Sequence, residues 1–85
     1  MSMSKKEILE RLKGILYSMD ERSGDIIETI DEQTNLQYDL GLTSVNMLYL
    51  IIATEEEFQI RFSGVSMNEF QTVGDVISYI EGALS

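Results

Sequence analysis

The most informative segment of the sequence is Asp39–Phe58, which reads DLGLTSVNMLYLIIATEEEF. Gly41 supplies a flexible backbone position, and the hydroxyl residues Thr43 and Ser44 are suited to capping a helix start. Neither Gly nor Pro interrupts the rest of the segment. The segment therefore predicts a turn that leads into a helix over about Ser44 to Phe58, with a serine at the helix N-terminus.

This central helix is apolar around most of its circumference, so it has more than one apolar face. We assign one row, at i, i+4 and i+8, to the core: Leu50, Thr54 and Phe58. We expect a second row to be partly exposed: Val45, Leu48 and Ile52. An exposed aliphatic row suits a protein-docking surface, although the same row could instead pack beneath the preceding connection.

A serine at a helix start has a chemical consequence. The first backbone N–H groups of a helix have no partner within the helix, and the helix dipole is positive at that end. Both effects favour a negative group, so a phosphate ester on Ser44 would be well placed.

The order DLGLTSV at Asp39–Val45 resembles the acyl carrier protein family, whose usual motif reads Asp-x-Gly-x-Asp-Ser-Leu. Thr43 stands where the family usually has Asp, and Val45 where it usually has Leu. The acidic triplet Glu55–Glu57, Phe58 and the chain length support the resemblance, and the predicted order of helices with a long first connection extends it to nearly the whole sequence. The resemblance implies that Ser44 carries 4′-phosphopantetheine, donated by coenzyme A.

The resemblance also implies a carrier that catalyses no reaction itself. A phosphopantetheinyl transferase would load Ser44, and acyl-loading and acyl-processing enzymes with basic surfaces would use the tethered acyl thioester in fatty-acid, polyketide or related specialised biosynthesis. Asn46 and Tyr49 fall where fatty-acid carriers commonly have acids, which favours a specialised pathway. The residues expected to dock partners are Val45, Leu48, Ile52, Glu55 and Glu56.

Two other functions are compatible with the same residues. One is an aminoacyl or peptidyl carrier, because such carriers share the modified serine. The other is an unmodified acidic helical module that binds a protein through the central helix. An intact mass after incubation with coenzyme A and a broad-specificity transferase separates the module from either carrier.

The composition excludes most catalytic and metal chemistry. The chain has 85 residues with no Cys and no His, so it lacks a thiolate, an imidazole base and the usual zinc ligands. The acids of residues 25–39 lack the ligand order of a calcium loop. We expect a single carrier domain over residues 1–85, with no metal and no catalytic residue.

The charge distribution indicates the kind of partner. The formal net charge is −9, and residues 24–85 contain eleven acidic residues and one basic residue. This surface disfavours nucleic acid and favours a basic protein partner. The N-terminus is not typical of a secretory signal, and the longest apolar run, Met47–Ala53, is too short to span a membrane. We expect a cytoplasmic monomer.

The rest of the sequence predicts further helices around the central one. Ser4 and Glu7 form a capping-box pattern ahead of a helix over about Lys5 to Met19. Residues 25–38 predict a long ordered connection over the core, with a short helical turn near Ile26 to Asp31. We expect Gln59–Phe62 to be extended.

Two more helices complete the predicted fold. Ser66 and Glu69 predict a short third helix, about Ser66 to Phe70, with Met67 and Phe70 facing inward. Thr72 and Asp75 cap a last helix whose apolar stripe is Val73, Val76, Ile77, Ile80 and Leu84. The predicted fold is all-α: a small four-helix bundle with three long helices, one short third helix and a long first loop.

Overall fold

A computed structural model describes residues 3–19, 24–63 and 69–84. Within these ranges the chain forms four helices: α1 at Lys5–Met19, α2 at Gly24–Glu28, α3 at Ser44–Phe58 and α4 at Val73–Leu84. These ranges contain no β-strand, only one isolated bridge between Asn35 and Thr72. The predicted all-α bundle is therefore confirmed.

Helix α1 has the predicted bounds. Ser4 caps its start, and its apolar residues form one buried face, as the sequence predicts. The Glu7 N–H donates to Ser4 Oγ over 3.2 Å at the start of the helix. Its buried residues, Ile8, Leu12 and Leu16, lie at i, i+4 and i+8. This face contacts α2, α3 and α4, which makes α1 the element shared by the bundle.

Helix α3 also has the predicted bounds, and its two apolar rows separate as expected. The core row of Leu50, Thr54 and Phe58 is at most 4% exposed. The Thr54 hydroxyl donates to the Leu50 carbonyl over 2.6 Å, which satisfies a polar group inside the core. The second row is exposed, at 76% for Val45, 52% for Leu48 and 49% for Ile52.

Helix α4 begins with the predicted cap. The Asp75 N–H donates to Thr72 Oγ1 over 3.2 Å, and Asp75 Oδ2 accepts the N–H groups of Thr72 and Gln71. The two backbone bonds hold the pKa of the Asp75 carboxyl below its usual value. The ionised Asp75 carboxylate therefore stabilises the fold fully at pH values above its usual pKa. This stabilisation is lost as the pH falls through the lowered pKa.

The long first connection lies over the core, as predicted. Its short helix, α2, begins at Gly24, slightly earlier than the predicted turn at Ile26 to Asp31. Three of its aliphatic residues are at most 5% exposed: Ile27, Ile30 and Leu36. Burial of these side chains offsets the entropy of ordering a segment with little regular structure.

Backbone hydrogen bonds join this connection to the start of α4. The Leu36 N–H donates to the Gln71 carbonyl over 2.8 Å, and the Val73 N–H donates to the Thr34 carbonyl over 3.0 Å. The Gly74 N–H donates to the Glu32 carbonyl over 2.8 Å. A Cβ at position 74 would lie 2.8 Å from that same carbonyl oxygen, so the close approach requires glycine.

The segment after α3 differs from its prediction. Gln59 is the left-handed C-cap of α3, with φ 56° and ψ 47°, so the extended conformation expected over Gln59–Phe62 is wrong at its first residue. The reason is that the Gln59 N–H donates back to the Glu55 carbonyl and closes the last turn. Phe62 then stacks on Tyr79 of α4 with ring centroids 4.5 Å apart.

The predicted short third helix at Ser66–Phe70 cannot be compared over residues 64–68, which lie outside the described ranges, as does Met67. Phe70 faces inward as predicted and is 5% exposed. Its ring meets Phe62 and Tyr79 edge to face, at centroid distances of 5.4 and 5.8 Å. These rings join the segment after α3 to α4.

Within the described residues, no helix combines the length and the apolar content that crossing a membrane requires.

The two rows of α3 predict opposite effects of truncation. Phe58→Ala removes a buried ring and should lower the free energy of unfolding by roughly 3 to 5 kcal/mol. Leu48→Ala removes a half-exposed side chain and should change it by about 0.5 kcal/mol. Urea titration of both variants measures the difference. A loss for Leu48→Ala as large as that for Phe58→Ala would contradict the assignment of this row to the surface.

Candidate modification site

Ser44 is the first residue of α3, where the sequence places it. Its side chain is exposed, and no hydrogen bond joins its hydroxyl to any of the described residues. The N–H groups of Ser44 and Val45 precede the first donors used by the cap, so neither has a backbone acceptor within the helix. The Ser44 hydroxyl is thus accessible and lies at the positive end of a 15-residue helix.

The N-cap itself is Thr43, which forms a reciprocal pair with Asn46. The Asn46 N–H donates to Thr43 Oγ1 over 3.2 Å, and the Thr43 N–H donates to Asn46 Oδ1 over 3.1 Å. The Thr43 hydroxyl also donates to Asn46 Oδ1, over 3.0 Å. Capping by Thr43 leaves the neighbouring Ser44 hydroxyl outside the cap, which the sequence analysis did not distinguish.

The role of Asn46 was missed in the sequence analysis, which noted only the absence of an acid there. The signal was present, because Thr-x-x-Asn is a variant of the capping box in which Asn replaces Glu or Gln. As a result, the first turn of α3 contains no acidic residue, and its cap is neutral. A negative group attached to Ser44 meets no carboxylate in that turn.

The turn before α3 is fixed by backbone geometry. Gly41 has φ +68°, a left-handed conformation that glycine adopts at little cost. The Leu42 N–H donates to the Leu36 carbonyl over 3.0 Å, so the chain folds back on itself between these residues. Leu40 and Leu42 are half-buried and pack against the core. The start of α3 is therefore attached to the core by its preceding turn.

Asp39, the first residue of the motif, organises the same turn. Its Oδ2 accepts the Asn35 N–H over 2.7 Å. Asn35 Oδ1 in turn accepts the N–H groups of Gln37, at 2.9 Å, and Tyr38, at 2.8 Å. Asp39 thus supports the backbone ahead of Ser44, and Asn35, a residue the sequence analysis passed over, shares this role.

The acidic triplet at the end of α3 divides into three different environments. Glu55 is half-buried, and its Oε2 accepts the Phe62 N–H over 2.9 Å. Glu57 Oε2 accepts from Arg11 of α1 over 3.2 Å, and the Arg11 guanidinium lies 5.9 Å from the centre of the Phe58 ring. Among the described residues, the exposed Glu56 carboxylate has no hydrogen-bond or ion-pair partner.

Two open grooves flank the end of α3, and Glu56 borders both. One, of about 400 Å³, is lined by Ile52, Glu55, Glu56, Gln59, Ile60 and Arg61. The other, of about 280 Å³, is lined by Ile15, Ser18, Tyr49, Ala53, Glu56 and Glu57. The exposed aliphatic row therefore continues into surface concavities bordered by carboxylates.

The core residues of α1, α3 and α4 pack closely where they meet Leu36. A void of about 10 Å³ lies among Leu12, Leu16, Leu36, Leu50, Val73 and Val76, which is about the space of one water molecule. Met47, one turn after Ser44, is 3% exposed and belongs to this core. The described residues contain no group of three side chains that could hold a metal ion.

Comparisons with known proteins identify what this arrangement is similar to. The family model described as the phosphopantetheine attachment site matches residues 8–80. The acyl carrier protein of Thermotoga maritima is 32% identical over 81 residues, which cover 95% of this chain and 96% of that protein. The acyl carrier protein of Acidothermus cellulolyticus is 31% identical over 83 residues, which cover 98% of this chain and 95% of that protein.

A eukaryotic relative is similar over the same region. The mitochondrial acyl carrier protein of Saccharomyces cerevisiae is 31% identical over 80 residues, or 93% of this chain. The matched region spans 64% of the length of that relative. The matched region of this chain includes the turn, the Thr43 cap and the exposed serine in all these comparisons.

Proposed function

The chain belongs to the acyl carrier protein family, whose members carry a covalent 4′-phosphopantetheine, and we propose that Ser44 is the residue that carries it here. The observation that supports this most directly is the exposed Ser44 hydroxyl at the start of α3, within Asp-x-Gly-x-x-Ser. The neutral Thr43 cap and the first N–H groups of α3 suit a phosphodiester at this position.

The chain's own residues support the attachment by position and not by catalysis. Thr43 and Asn46 satisfy the cap, so the Ser44 hydroxyl need not serve as a capping acceptor. The described residues provide no side chain that hydrogen-bonds this hydroxyl and could accept its proton. The base and the Mg²⁺ then belong to the phosphopantetheinyl transferase. When bound, the group supplies a thiol that holds acyl chains as thioesters.

The exposed row of α3 forms the proposed docking surface for partner enzymes. Its apolar part is Val45, Leu48 and Ile52, and its acidic part is Glu55 and Glu56. A basic protein surface complements it, because the chain carries a formal net charge of −9. The phosphopantetheinyl transferase and acyl-processing enzymes are partners of this kind.

The two docking acids have different tasks. One carboxylate oxygen of Glu55 accepts the Phe62 N–H, so Glu55 also fixes the position of the segment after α3. Glu56 has no such internal bond among the described residues and lies eleven residues after Val45, on the same side of the helix. We therefore assign the main charge contact at this end of α3 to Glu56.

The neutral residues near Ser44 favour a specialised pathway. Thr43 and Asn46 leave the first turn of α3 without an acid, and Tyr49 is 52% exposed on the second turn. Partners that dock along α3 meet an apolar and aromatic surface after the serine, and the carboxylates of α3 lie at its far end. We propose acyl carriage in polyketide or related specialised biosynthesis ahead of housekeeping fatty-acid synthesis.

Removal of the serine hydroxyl is the direct test of the attachment site. Wild-type protein incubated with coenzyme A and a broad-specificity phosphopantetheinyl transferase should gain the mass of one phosphopantetheine, measured by intact mass spectrometry. Ser44→Ala should gain none, because no hydroxyl remains at the start of α3. It should still fold, since Ala is accepted at this helical position and Thr43 retains the cap.

Ser63→Ala is the matched control, because Ser63 is an exposed serine outside the motif and follows α3 instead of starting it. It should load as fully as the wild type. Loading of Ser44→Ala, or no loading of folded wild-type protein, would contradict the proposal.

Neutralising Glu56 should change the rate of docking more than neutralising Glu57. Glu56→Gln should slow association with a basic partner enzyme and flatten its dependence on ionic strength, because exposed charges mainly steer encounter. Glu57→Gln is the control, since Glu57 is already paired with Arg11. Stopped-flow association at several salt concentrations measures both variants. An unchanged rate and salt slope for Glu56→Gln would remove Glu56 from the docking surface.

A further inference from the structure

We propose that the aromatic ring of Tyr38 is a recognition contact for the phosphopantetheinyl transferase when it loads Ser44. This proposal rests on the proposed function of Ser44 and adds a specificity-determining residue outside α3. The occupant proposed for this surface is the transferase, because its reaction takes place at the Ser44 hydroxyl.

The exposure of Tyr38 is the first observation behind this proposal. The side chain is 88% exposed, the highest value among the exposed large apolar and aromatic side chains of the described residues. Five of these seven residues fall within fifteen positions of sequence around Ser44: Tyr38, Val45, Leu48, Tyr49 and Ile52. Exposed apolar groups concentrated in one region mark an interaction surface, whereas single scattered ones do not.

The second observation is that the backbone beneath the ring is fixed. The Tyr38 N–H donates to Asn35 Oδ1 over 2.8 Å, and Asp39 Oδ2 accepts the Asn35 N–H over 2.7 Å. The Leu36 N–H is bonded in turn to Gln71, next to α4. The transferase therefore meets an aromatic side chain on a turn that is already ordered, which reduces the entropy lost on binding.

The third observation is the proximity of Tyr38 to the acceptor serine along the chain. They are six positions apart, and the bond from the Leu42 N–H to the Leu36 carbonyl folds this segment back on itself. Six extended residues span at most about 20 Å, so the folded segment is shorter. A partner of standard size covers about 800 Å², a patch roughly 30 Å across, which is wider than this separation.

Electrostatics explain why an aromatic contact suits this place. The transferase must bring coenzyme A to the Ser44 hydroxyl itself, so its surface must lie against the residues around the start of α3. The first turn of α3 has no acid, so its part of this surface is neutral. Recognition beside Ser44 can therefore use apolar area, and Tyr is among the residues that contribute most at such contacts.

The test compares loading efficiencies of variants within this one turn. Initial rates are measured by mass spectrometry with coenzyme A, Mg²⁺ and a broad-specificity phosphopantetheinyl transferase, over a range of carrier concentrations. Tyr38→Ala should lower kcat/KM for the carrier about tenfold, mainly by raising KM. Tyr38→Phe should restore it to within about threefold, because the ring is retained.

Gln37→Ala is the matched control, because Gln37 is exposed and its N–H binds the same Asn35 oxygen. It should load within about twofold of wild type, and thermal unfolding should be unchanged in all three variants, since these side chains are exposed. Wild-type efficiency for Tyr38→Ala, or an equal loss for Gln37→Ala, would overturn the role of the ring. Neither result affects the assignment of Ser44, which fails if Ser44→Ala becomes loaded or if folded wild-type protein does not.

Discussion

Backbone pairing between the long first connection and the start of α4 positions the turn that leads into α3. Residues 29–43 contain no helix or strand, so their backbone groups need partners elsewhere. Turns within the segment satisfy several of them, and the bonds of Leu36 to Gln71, Val73 to Thr34 and Gly74 to Glu32 join the segment to the start of α4. The pairing also places Leu36, which is 1% exposed, in the core between α1 and α4.

The position of the proposed site follows from this pairing through a short series of contacts. Leu36 is fixed by Gln71 and then accepts the Leu42 N–H, which brings the chain to Thr43. Thr43 caps α3 together with Asn46 and leaves the Ser44 hydroxyl exposed. The core row of α3 packs inward, so its other face stays available to partners. The same backbone hydrogen bonds thus stabilise the fold and keep the Ser44 hydroxyl accessible.

The sequence predicted the elements whose signals are local. The bounds of α1 and α3 follow from a cap and a run of apolar residues at helical spacing, and Asp75 could be recognised as a cap from its spacing to Thr72. Ser44 could be identified as the candidate site because its motif occupies a few consecutive residues. The separation of the Leu50 row from the Val45 row also followed from helical periodicity alone.

Interactions between distant residues were not predictable in the same way. Asn35 and Thr72 are far apart in sequence, and neither carries a pattern that indicates the other. Glu55 reads as one of three equivalent surface acids, yet its bond to the Phe62 N–H depends on how the chain turns at Gln59. The left-handed conformation of Gln59 was missed because it lacks the glycine that usually marks such a C-cap.

Native-state hydrogen exchange of Gly74→Ala measures whether pairing with α4 fixes the turn before Ser44. The added Cβ would lie 2.8 Å from the Glu32 carbonyl oxygen, so the pairing must shift. We expect that pairing does fix this turn, so the Leu36 and Leu42 amides should lose more protection in this variant than the Leu12 amide within α1. Wild-type protection of Leu42 in this variant would contradict it, because the turn would then be fixed without α4.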